Sequence, residues 1–144
     1  MKVEHPQNWH PKAYAYLRVS ARGQVAGDGF PRQIAAITQY ANTNGIEVVK
    51  TFREEGVSGA KDLADRPALV ELMTALQLNG PGIDYILIEK LDRLARDLMV
   101  QETIIGDIQK QGFQLISVAE PDLLQDDPAR KLMRQIFGAI AEYD

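Results

Sequence analysis

"AYAYLRVSARGQ", residues 13–24, decides how the rest of this chain is read. From Ala13 to Leu17 the residues are small, aromatic or aliphatic; Arg18, Val19 and Ser20 follow, and a polar, glycine-bearing segment takes over. The apolar part reads as a buried strand that runs out where the cation and the hydroxyl begin. Three more stretches read the same way: "IEVVKTF" (46–52), "DYILIE" (84–89) and "FQLISVA" (113–119). Between them the apolar residues recur at helical spacing. Ile34, Ile37 and Ala41 share a face behind Pro31, and Leu69, Leu72, Met73 and Leu76 follow Pro67; both prolines suit a first helical turn. Leu94, Leu98, Ile105 and Ile108 predict a third helix, closed by Gly112, and Leu132, Ile136 and Ile140 predict a last one from Pro128. Strands alternating with helices in this way form an α/β fold, a mostly parallel sheet covered by helices on both faces.

In such folds ligands bind beyond the carboxyl ends of the strands. Three polar segments leave those ends here: "RVSARGQVAGDGFPRQ", "REEGVSGAKDLADR" and "EKLDRLARD". They bring Ser20, Arg18, Arg66, Arg93 and Arg96 to one rim, with Gln24 and Gln33 nearby. Arg18 and Ser20, two apart on an extended chain, project from one face; Arg93 and Arg96, three apart, share a face if the segment is helical. Guanidinium groups match phosphate oxygens in a planar fork, and a serine beside them suggests attack on phosphorus. Such chemistry rests on positioning and on stabilising negative oxygens. No histidine base stands on the rim, and what deprotonates Ser20 stays open, with Asp92 or water as candidates. Taken singly the same pieces have ordinary readings: "DRLARD" as a solvated helix with an Asp92–Arg96 pair, "DRP" as a helix start, "EEG" as a solvated loop. Together they point to a phosphate-handling α/β domain.

The composition sets outer bounds. The chain has 144 residues, 45% of them hydrophobic and 25% charged, enough for one domain with a core of its own. It holds no cysteine, which excludes disulfides and thiolate metal sites. No apolar run is long enough to span a bilayer, and residues 1–12, with both histidines (His5 and His10), read as a flexible leader lacking a signal-peptide core. A net charge of -4 excludes coating nucleic acid by bulk charge, so anion binding must be local. Neither G-x-x-x-x-G-K nor G-x-G-x-x-G occurs, and no cofactor or metal is expected. The expected compartment is the cytoplasm.

Three motifs together resemble the serine recombinases, the resolvase and invertase family: "YLRVS", "GVSGA…DRPAL" and "LDRLARD", in that order. The resemblance runs from about Tyr14 to Asp144. It implies that residues 13–144 form the family's catalytic domain, with a short antiparallel edge strand beside the parallel ones and dimer contacts through the final helix. It further implies that Ser20 attacks a DNA phosphate to give a 5′-phosphoserine link. On the same grounds Arg18, Arg66, Arg93 and Arg96 hold that phosphate, Asp92 orients the arginines or assists proton transfer, and Gln24 and Gln33 match two loop glutamines. Implied partners are double-stranded DNA and further copies of the chain, as a dimer and as a tetramer in the active synapse, with no membrane. The sequence departs from the small resolvases in three places. The "AGDGF" insertion resembles the large integrase or transposon branch, Ala75 stands where a lysine is common, and the family's C-terminal DNA-binding region is expected beyond Asp144. The alternative is a catalytically silent α/β domain that binds phosphate or acts as a receiver-like interaction module.

Overall fold

The computed structural model describes residues 9–19, 29–55, 66–79 and 82–121, with Pro128, Leu132, Gln135, Ile136 and Ala139. Ser20 and Gln24 lie outside the described residues, as do the first eight residues of the expected leader. The elements are β1 (Lys12–Val19), α1 (Phe30–Thr43), β2 (Glu47–Glu55), α2 (Pro67–Asn79), β3 (Tyr85–Ile88), α3 (Leu91–Leu94), α4 (Leu98–Lys110) and β4 (Gln114–Ser117). The strands form one sheet in the order β2-β1-β3-β4, and every pairing is parallel. The antiparallel edge strand implied by the resemblance is not among the described residues.

Alternation along the strands explains the layers. Tyr14 and Tyr16 of β1, Ile86 and Ile88 of β3 and Leu115 of β4 pack with Leu69, Leu72, Ile105 and Ile108 of α2 and α4. Ala13, Ala15, Leu17, Leu87 and Ile116 point the other way, onto Ile37 and Ala41 of α1. Large aromatics thus fill one face, where Tyr14 meets Phe52 edge-on at 5.3 Å between ring centres. Alanines at 13 and 15 leave room for α1 on the other. β1, β3 and β4, near-continuous apolar runs, are buried on both sides, whereas the edge strand β2 is largely exposed. α1 and α4 each lead into the next strand through a glycine in the left-handed region, Gly45 (φ 66°) and Gly112 (φ 94°), where other residues would be strained.

Three expectations need correction. β1 begins at Lys12, one residue before "AYAYLRVS", because its start is tied from both sides: Glu47 N–H donates to Pro11 C=O, and Asp84 N–H to Lys12 C=O. β2 runs on to Glu55, three residues past "IEVVKTF", since Arg18 and Val19 of β1 continue the pairing opposite Glu54 and Glu55. Finally, the single helix expected from Leu94 to Ile108 is two. α3 stops at Leu94, Ala95 is extended (φ -167°, ψ 152°), and α4 starts at Leu98. The break is supported from the far side. The Asp97 carboxylate accepts the Val100 N–H at the new helix start, and the buried Gln101 amide donates to the Ala95 carbonyl. Of the expected last helix, Leu132 and Ile136 are helical and exposed.

Candidate active site at the ends of β1 and β3

Arg18 follows Tyr14 and Tyr16 on one face of β1, and its guanidinium is buried, 2% exposed as a residue. Its Nε donates to the Arg93 carbonyl at 3.0 Å, and Nη2 donates to the Asp92 carbonyl. Arg66, wholly buried just ahead of α2, reaches the same place: its Nη2 donates to the Arg93 carbonyl at 3.2 Å and to the Tyr16 hydroxyl at 2.7 Å. Two guanidinium groups therefore share one backbone oxygen. Burial, and next the neighbouring Arg66, lower the Arg18 pKa from the ordinary arginine value; Arg96 and Arg93 push the same way, and Tyr16 opposes them. Such crowding of cations is unfavourable until an anion enters. Among the described residues, Nε and Nη1 of Arg66 are buried without a hydrogen-bond partner.

Arg18, Arg66 and Arg93 are thus drawn together through the Arg93 backbone. Arg93 and Arg96 do not share a helical face, because α3 ends between them; Arg96 is exposed on the rim. Asp92 joins the cluster through its carbonyl, while its side chain is exposed. Gln33 is fully buried and faces the strand. Its Nε2 donates to the Arg18 carbonyl at 3.0 Å, and its Oε1 accepts the Arg18 N–H at 3.3 Å. That amide pairs with the end of β1 as another strand would, one residue short of Val19.

Two buried glutamates were not foreseen as site residues. Glu54, read from sequence as part of a solvated loop, is 1% exposed. Its carboxylate accepts the Tyr16 hydroxyl and the N–H groups of Ala68 and Leu69, all at 3.0 Å, so it caps the start of α2. Burial raises the Tyr16 pKa above the ordinary phenol value, although Arg66 pulls the other way. Glu89, past the end of β3, pairs with Arg32 of α1 (Nη1–Oε2 2.6 Å) and accepts from Arg93 Nε at 3.2 Å. For Glu89 the available signal was an acidic residue closing the apolar run "DYILIE", where a buried charge requires a partner; for Glu54 the local sequence offered none. Among the described residues no group of three His, Cys, Asp or Glu gathers to hold a metal ion, and no helix is long and apolar enough to cross a membrane.

The geometry agrees with comparisons to known proteins. The solved catalytic domain of TP901-1 integrase superposes with a TM-score of 0.71 at 31% identity, covering 92% of this chain and 95% of that one. A resolvase family site-specific recombinase from Streptococcus pneumoniae gives 0.70 at 28% identity, covering 92% and 87%. Serine recombinase PinR of Escherichia coli (strain K12) is 26% identical over 134 residues, 92% of this chain and 62% of PinR. The chain spans about three fifths of the length of the curated recombinases it matches. Residues 13–144 match the family described as "Resolvase, N terminal domain". The match over nearly the whole chain, with the shared fold, shows that this chain belongs to the resolvase family as a serine recombinase catalytic domain.

Proposed function

We propose that the protein is a site-specific DNA recombinase that uses Ser20 as its nucleophile. The observation that carries this reading is the meeting of Arg18 and Arg66 on one carbonyl of Arg93, beside the strand that leads into Ser20. The Ser20 oxygen forms a bond to the DNA backbone phosphorus, and the bond from phosphorus to the 3′-oxygen breaks. A 5′-phosphoserine link and a free 3′-hydroxyl result; the hydroxyl proton of Ser20 leaves to Asp92 or water, and the departing oxygen takes one up. Rejoining is the reverse reaction at the exchanged ends. Arg18, Arg66, Arg93 and Arg96 neutralise the phosphate oxygens, and Arg66 offers the two buried donors that have no described partner. Gln33 fixes the strand end that precedes the nucleophile, and Gln24 is assigned to the same site. The chemistry needs no metal or nucleotide.

The partners are double-stranded DNA and further copies of the protein, a dimer on each site and a tetramer in the synapse, acting in the cytoplasm. The exposed Leu132 and Ile136 support contact between copies through residues 128–144. A silent interaction domain would not require three arginines in and around the core at one strand end.

The test is a covalent adduct. Full-length protein is incubated with supercoiled DNA carrying its recombination site, quenched with denaturant and digested, and the peptide bearing DNA is identified. DNA on Ser20, and loss of both adduct and cleavage in Ser20→Ala with binding retained, is the expected result. Cleavage by Ser20→Ala at near wild-type rate overturns the assignment.

A further inference from the structure

Arg32 and Gln33 are consecutive residues in the first turn of α1, and they grip two different strand ends. Gln33 holds the backbone of Arg18 at the end of β1 from both sides. Arg32 holds Glu89 beyond the end of β3 with two prongs, Nη1 to Oε2 at 2.6 Å and Nη2 to Oε1 at 3.0 Å. Glu89 is 2% exposed, and its Oε1 also accepts from Arg93 Nε at 3.2 Å. A carboxylate so buried must have its charge matched, and it draws one cation from α1 and one from α3.

Arg93 lies in α3, a single turn followed directly by the extended Ala95; Leu91 and Leu94 of that turn are buried in the core, and the Arg93 side chain turns to Glu89. Nε is the guanidinium donor nearest the backbone, and anchoring it sets the plane in which the rest of the fork lies. The chain segment carrying Ser20 returns to the described fold at Gly29, immediately before this turn of α1.

We propose that Arg32 and Glu89 are positioning residues for the phosphate site: Glu89 orients the Arg93 fork, and Arg32 fixes Glu89 to the turn of α1 that also holds β1. The inference rests on the recombinase reading of the site. One helix turn then sets both the strand end ahead of the nucleophile and the plane of an arginine that meets the phosphate.

Two measurements test it. In full-length protein acting on supercoiled DNA that carries its recombination site, Glu89→Gln should slow adduct formation about 10- to 100-fold, as small misplacements of a catalytic group do, with DNA affinity kept within about threefold. Arg32 is more accessible, its side chain 41% exposed, so Arg32→Met should fold and still slow the same step by roughly 3- to 10-fold. The second readout needs no DNA. In the protein without DNA the Arg93 Nε–H resonance, identified by its loss in Arg93→Lys, should exchange slowly with solvent and about tenfold faster in both variants. Unchanged exchange in both overturns the clamp. Faster exchange with unchanged adduct formation overturns the positioning role. Cleavage by Ser20→Ala in the same assay would overturn the recombinase reading instead, and the exchange measurement would still decide whether Glu89 holds Arg93.

Discussion

Glu54 and Glu89 stand on opposite sides of the same arginine cluster, both almost wholly buried, and they secure it by different means. Around Glu54 the negative charge is met by two backbone N–H groups at the start of α2 and by the Tyr16 hydroxyl, and only through that hydroxyl does it touch Arg66. Around Glu89 two guanidinium groups bond the carboxylate directly. The first arrangement spends the carboxylate on neutral donors and leaves Arg66 Nε and Nη1 without described partners. The second uses cation against anion and reaches the surface through Arg32. One side is built to keep an arginine available in the interior; the other holds one at a fixed angle. A buried ion pair and a buried capped carboxylate thus serve different ends although both satisfy the same electrostatic requirement.

The difference can be broken most severely at Arg66. Arg66→Ala should lower adduct formation by about 10² to 10³, the usual cost of losing one preorganised contact to developing negative charge. Quenched time courses on the recombination site check this, with gel shift confirming that DNA is still bound. A loss no greater than that of Arg32→Met would remove the distinction between an available arginine and a merely supporting one. Next in size, Glu54→Gln places an NH2 where one carboxylate oxygen accepts two donors or caps the helix start. Leaving such buried donors unmatched should cost about 1–3 kcal/mol, read as a lower midpoint of urea unfolding.

Tyr16→Phe should do less, about 1 kcal/mol, because Glu54 keeps its two backbone donors and only the hydroxyl bridge is lost. It should nevertheless separate from wild type at alkaline pH. Ionisation of Tyr16 is resisted more in the folded than in the unfolded chain, so its contribution is fully present below about pH 10 and drains away as pH rises beyond. Thermal midpoints between pH 8 and pH 11 should therefore fall more steeply for wild type than for Tyr16→Phe. Parallel slopes would mean that burial does not raise the Tyr16 pKa in the folded chain.

Much of the fold lay open in the chain because β1, β3 and β4 are buried on both faces and announce themselves as apolar runs. The strand ends and motif spacing put Arg18, Arg66 and Arg93 at one rim of the sheet; that two of them meet on the Arg93 carbonyl is a main-chain contact that no residue type announces. Three further features were not legible, each for a physical reason. "REEG" looks like a loop because two acidic residues normally seek water; that Glu54 is inside depends on the start of α2, which follows later in the sequence. The break at Ala95 falls in "LDRLARDLM", whose residues are nearly all good helix formers, and only Asp97 as a cap and Gln101 beyond it tell otherwise. Glu89 takes its partner Arg32 from a distant helix, and local periodicity carries no information about such pairing.

The two hydrogen bonds between Gln33 and the backbone of Arg18 bear on how this domain can change in length. They fasten the outgoing end of β1 to the start of α1, so the chain between those two anchors has its ends set by groups that do not belong to it. Closure entropy grows only with the logarithm of length, about 0.6 kcal/mol for each doubling. Residues added or removed between the anchors should therefore leave the sheet and the arginines undisturbed. A stretch such as "AGDGF" can then be lengthened or shortened at little cost while β1 stays in register with its neighbours.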